Sequence, residues 1–249
     1  MDRSQRYAAA VFAITFPLAT ALIMVAFTRF LAPIQVWNQE AETAHNLIAH
    51  AHTYRLFIAA SCLYGLAGVV LLTALYMVLR PVNRGVAAFA AFSRLVYVAM
   101  WFVQVLGSFS ALRIMNGEGP LQAFESKQLQ ALAGLQLASG WDAYYIGLSF
   151  YALSTLLFSW LFFQSRYIPR ILAAWGVLAS LFEGVCAFAY LNDHRFGAVV
   201  SVNWYEAPTS LFELALCIWL LGKELRAAWI RKTVSASIDR WGPDPLRVR

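Results

Sequence analysis

Six apolar runs of membrane-spanning length divide the sequence, at about residues 8–31, 56–79, 86–111, 143–163, 171–191 and 207–222. A helix needs roughly 20 such residues to cross the hydrocarbon core of a bilayer. Composition agrees, because 61% of the 249 residues are hydrophobic and 13% charged, against about 45–50% and about 25% in a soluble domain. A soluble fold has no interior large enough to hide that much apolar surface. The expected architecture is an all-α integral membrane protein, a six-transmembrane-helix bundle over residues 1–222 with short amphipathic surface helices. A basic cytoplasmic amphipathic tail over residues 223–249 completes it.

Charge distribution orients the bundle. Arg3, Arg6, Arg80, Arg84, Arg166, Arg170, Lys223, Arg226, Arg231, Lys232, Arg240, Arg247 and Arg249 fall on one side, and Arg29, Arg55, Arg113, Lys127 and Arg195 on the other. The positive-inside bias places both termini in the cytoplasm, in the bacterial cytoplasmic (inner) membrane. The net charge of +6 therefore reads as topology, and no nucleic-acid motif accompanies it. The basic start before residue 8 resembles a signal peptide, but the apolar run is too long for one, and a retained helix is expected. Cys62, Cys186 and Cys217 stand singly in apolar segments, as small buried hydrophobes.

The loops opposite the termini are expected to carry surface helices, one from Glu40 to His52 and one starting at Pro120 with Leu121, Phe124, Leu129 and Leu132 on one stripe. Glu42, His45 and His52 share a helical face, but His50 does not and no supporting partner is evident, so no metal site is assigned. In the tail, Ile230, Val234, Ile238 and Trp241 recur at helical spacing beside Lys223, Arg226, Arg231, Lys232 and Arg240. That pattern predicts an interfacial helix resting on anionic lipid.

Two tight turns, Arg80-Pro81-Val82-Asn83-Arg84 and Arg166-Tyr167-Ile168-Pro169-Arg170, share an Arg-x-x-x-Arg spacing. With Leu79, Arg94-Leu95-Val96, Ile146-Gly147-Leu148 and Ser165, they resemble a bacterial multi-pass membrane protein family, domain of unknown function four-three-eight-six (DUF4386). The resemblance runs from about Tyr54 to Leu191 and implies the fold rather than an activity. The family usually carries histidine where this chain has Ser154.

The paired turns also suggest a parallel repeat of spans two and three in spans four and five. Arg94 then aligns with Ser180, and Glu183, one turn further, faces the same pseudo-axis. Ionisable side chains within spans are costly and mark functional sites by default. The candidate ligand-binding set is therefore Arg94, Glu183 and Glu213, with Gln104, Tyr97 and Ser154 completing a polar pocket. Arg94 and Glu183 are expected to form a buried pair or to share a polar cavity, and a purely structural ion pair is the competing reading. Gly176, Ser180 and Gly184 form a small-residue ladder for close helix packing. Aromatic residues crowd the fourth span, where they serve packing, interface anchoring or a lipophilic pocket.

Three functions fit these features. The first is a binding or accessory protein for a lipophilic molecule or another membrane subunit. The second is an intramembrane enzyme acting on a lipid-like substrate, with Glu183 or Glu213 exchanging protons and Arg94 holding an anion. The third is a small transporter. The sequence names no cofactor.

Overall fold

The computed structural model describes residues 1–36, 39–117, 119–193, 195–200 and 202–240. Helix α1 spans Arg3–Val25 and continues into a π-helical turn, Ala26–Leu31. Its start is fixed twice. The Asp2 carboxylate accepts from the Gln5 backbone N–H at 2.7 Å while the Gln5 side-chain Oε1 accepts from the Asp2 N–H at 2.8 Å, a reciprocal capping box. The Gln5 amide also donates to the carbonyl of Val78 at 2.7 Å, tying α1 to the end of α3.

Helix α2 covers Glu40–Ala49 and α3 covers Ala51–Leu79. The continuous helix expected from Glu40 to His52 is thus broken at His50, whose backbone (φ −120°, ψ 25°) is not helical. His52 belongs to the span and His45 to the surface helix, where His45 Nδ1 meets Gln130 Nε2 at 3.1 Å. Ala44 and Leu47 are fully buried, and Asn46 Nδ2 donates to the Ile34 carbonyl at 3.2 Å. Helix α2 is therefore a lid packed onto the bundle by its apolar face.

Helix α4, Arg84–Met115, is capped by the Asn83 side chain, which accepts from Val86 N–H at 3.1 Å. A 3-10 turn, Gly119–Ala123, precedes α5, Ser126–Ser165. The second expected surface helix is absent as a separate element, because Glu125 and Gln128 form a capping box that starts α5 there. Leu129 and Leu132 lie on its first turns. At 40 residues, α5 is about 60 Å long, roughly twice the hydrocarbon thickness. It packs against α2.

Helix α6 runs Arg170–Asn192, α7 Phe196–Val199 and α8 Val202–Arg240. The predicted apolar stripe of the tail, Ile230 to Trp241, lies outside the residues whose side chains are described. Among the described residues, five helices (α1 with its π turn, α3, α4, α5 and α6) are long and apolar enough to cross a membrane. Helix α8 falls short because Glu206 and Glu213 interrupt its apolar stretch. It nevertheless closes the bundle, since α1 packs on α3, α3 on α4, α4 on α5, α5 on α6, α6 on α8 and α8 on α1.

The outer surface confirms the medium. Leu18, Phe92, Leu106, Val185, Phe188 and Ile218 are each more than half exposed, an apolar exterior suited to lipid. The end of the bundle holding the arginine turns is called here the turn face, and the end holding α2 and α7 the loop face. The two arginine turns close differently. Arg166 adopts the left-handed region (φ 55°), whereas Arg80 stays right-handed (φ −54°).

Close approach between helices depends on small residues. At the α4–α5 crossing, a Cβ on Gly107 would lie 2.9 Å from the Gln136 carbonyl oxygen, and one on Gly140 3.4 Å from that of Gln104. On α6, a Cβ on Gly176 would meet Ser159 Oγ and Phe212 Cζ, the latter at 2.6 Å, whereas one on Gly184 makes ordinary contact with Ala152 at 3.5 Å. Gly176→Leu is expected to cost about 1–3 kcal/mol by overpacking. Gly184→Ala should be nearly silent. Thermal unfolding in detergent checks both, and equal losses would refute this packing.

Candidate functional site

Two apolar clusters fill the bundle, one toward each face. The turn-face cluster includes Ala87, Phe158, Phe162, Phe212 and Leu216, and the loop-face cluster Val98, Trp101, Tyr144, Leu148 and Cys186. Between them lies a polar belt contributed by α4, α5, α6 and α8. Its buried members are Arg94, Ser154, Thr155, Ser159, Ser180, Glu183, Thr209 and Glu213.

Arg94 organises the belt from about 15 Å along α4, ten residues past its start. Its Nη2 donates to Glu213 Oε1 at 2.9 Å and to Thr155 Oγ1 at 2.7 Å, and its Nε donates to Ser154 Oγ at 3.3 Å. The guanidinium carbon lies 3.8 Å from the centre of the Tyr151 ring. The Tyr151 hydroxyl then donates to Glu213 Oε2 at 2.7 Å. Both carboxylate oxygens are occupied, and the guanidinium has a charged, a polar and an aromatic partner, the conditions under which a buried pair is tolerated. Toward α1 and α3, a cavity of about 30 Å³ borders Arg94, Tyr97, Tyr151 and Glu213. It has room for about one water molecule.

The expected pairing of Arg94 with Glu183 gives way to Arg94 with Glu213, the one ion pair among the described residues. The repeat argument set the depth of Glu183 but not its direction. Helix α8, outside the repeat, brings Glu213 to the Tyr151 hydroxyl and the guanidinium. Glu183 is 1% exposed and stands beside Thr209, yet Glu183 Oε2 and Thr209 Oγ1 have no hydrogen-bond partner. Ser180, the repeat counterpart of Arg94, instead donates to its own helix at the Gly176 carbonyl, 2.6 Å away.

Five of the six expected residues therefore gather in the belt, Glu183 without an ion pair to Arg94. Arg94, Glu213 and Ser154 are bonded, and Tyr97 joins them through edge contact with Tyr151 at 4.8 Å between ring centres. Gln104 does not, because ten residues of helix place it about 15 Å from Arg94 toward the loop face. An aromatic ladder spans that gap: Tyr97 to Trp101 at 6.5 Å, Trp101 to Tyr144 at 5.9 Å and Tyr144 to Tyr145 at 5.7 Å. The Tyr144 hydroxyl is bonded to Glu206.

At the loop-face end of the ladder is a cavity of about 580 Å³, walled by α3, α4, α5 and α6 and roofed by α2 and α7. Leu31, Phe57, Leu137 and Leu191 supply apolar walls, and Gln104, Ser108, Trp141, Asp142 and Tyr145 supply polar groups. Gln104 lines it, but its Oε1 is buried within the wall and has no hydrogen-bond partner. The volume lies within the roughly 300–1,000 Å³ usual for small-molecule sites. Sequence reasoning missed Asp142, Trp141 and Tyr54 as members of one site. The available signal was an acid beside tryptophan at the edge of an apolar run.

The family model described as Domain of unknown function (DUF4386) matches residues 11–223. No curated protein and no solved structure gives a significant match. Among the described residues, no group of three or more metal-ligating side chains is present.

Proposed function

We propose, for a chain that belongs to the domain of unknown function family DUF4386, a binding role: it holds one lipophilic molecule in the loop-face cavity of a six-span bundle. The observation that carries this reading is the cavity, with its apolar walls and the Asp142 carboxylate at its mouth. Such a mixture suits a molecule that is mostly apolar and carries one polar end.

In this reading α8 is the sixth span, and the excess of basic residues sets the turn face in the cytoplasm of a bacterial cell. The cavity then opens at the level of the outer headgroups, where an amphiphile enters from the bilayer. Gln104 touches the ligand. Arg94, Glu213, Ser154 and Tyr97 hold the helices around it, with Glu183 behind them. An accessory role toward another membrane subunit is compatible with the same cavity.

A second reading, an intramembrane enzyme, is favoured by Glu183, a carboxylate with one oxygen unpartnered and therefore available for proton exchange. Native mass spectrometry of protein purified in mild detergent separates these readings from an empty bundle. One co-purifying lipophile per chain is the expected result. A chain that carries none, while retaining its fold, would refute the binding role.

A further inference from the structure

We propose that the loop-face cavity is selective for an amphiphile with a cationic amine head, an inference that rests on the binding role above. The described lining residues include one charged group, Asp142, and no lysine, arginine or histidine. An anionic head would enter opposite that carboxylate with no cation among the described lining residues to receive it, and such a placement is disfavoured.

The rest of the rim suits a cation. Trp141, Tyr145, Tyr190 and Tyr54 all border the cavity, and aromatic faces attract ammonium groups that lie within about 6 Å of the ring centre. The Tyr145 and Tyr190 rings stack on each other, and the Tyr190 hydroxyl approaches Asp142 Oδ1 at 3.4 Å, which holds the acid against the aromatic wall. Asp142 is itself exposed at the mouth. A carboxylate at the mouth and an aromatic rim call for a head that donates hydrogen bonds and carries positive charge. The apolar walls at Leu31, Phe57 and Leu137 take its chain.

The test uses the full chain in a maltoside detergent, with binding followed by tryptophan fluorescence. The probes are dodecylammonium, dodecyl phosphate, dodecanol and ethylammonium. Dodecylammonium should bind saturably at one per chain, and Asp142→Asn should weaken it about tenfold. Tyr145→Leu should weaken it as well by removing part of the aromatic wall, giving a second position should the first variant fail to fold. Ethylammonium should bind far more weakly, and equal binding would overturn the amphiphile in favour of a free amine. Dodecyl phosphate or dodecanol binding as tightly as dodecylammonium would overturn amine selectivity while leaving the lipophile reading intact. Binding of none of the four would overturn both.

Discussion

Glu213→Leu is expected to destabilise the bundle by about 3–5 kcal/mol, because it strands Arg94 in the interior with its charge uncompensated. Arg94→Leu should do comparable damage by leaving the carboxylate bonded only to Tyr151. The double variant, Arg94→Leu with Glu213→Leu, should recover most of the loss, since apolar replacement of a whole buried pair is often neutral. Glu183→Leu should behave differently: no ion pair depends on it, so its loss removes an unpartnered buried oxygen. Thermal unfolding of the four variants beside the parent checks this. Additive losses from Arg94 and Glu213, or a Glu183 variant as damaged as the Glu213 one, would contradict the geometry of the belt.

Filling the loop-face cavity should have the largest effect on occupancy. Ala138 lines it and lies 13 residues before Tyr151 on α5, about 20 Å from the belt. In Ala138→Trp the indole takes the place of the ligand, and the co-purifying lipophile should fall by about tenfold or more, equivalent to about 1.4 kcal/mol for each factor of ten. The melting temperature of the empty protein should change little, because the added ring enters space already open. Native mass spectrometry before and after lipid extraction reads both quantities. Undiminished lipophile in a folded Ala138→Trp protein would place the ligand elsewhere.

The spans of α1, α3, α4, α5 and α6 were legible because a run of about 20 apolar residues has few other fates. Helix α8 was less so, since Glu206 and Glu213 dilute its hydropathy even though both turn inward to the Tyr144 and Arg94 partners. The break at His50 had no local signal, because histidine is tolerated within helices. It arises where α2 folds down to bury Ala44 and Leu47 before α3 begins at Ala51. Spacing likewise made Arg94 legible as an interior residue, but its partner depended on the closure of the ring by α8 against α1 and α6. The cavity left the faintest trace, because its walls come from separate helices whose aromatic residues each resemble ordinary packing. Only their convergence on Gln104 and Asp142 distinguishes them.

An electron cryo-microscopy map of the protein in lipid nanodiscs tests the binding role most directly. The expected result is elongated density within the cavity, its chain along Leu31, Phe57 and Leu137 and its polar end at Gln104 and Asp142. A cavity closed by the Tyr54 and Tyr145 side chains, or one holding only isolated waters while the Arg94–Glu213 pair stands intact, would contradict it.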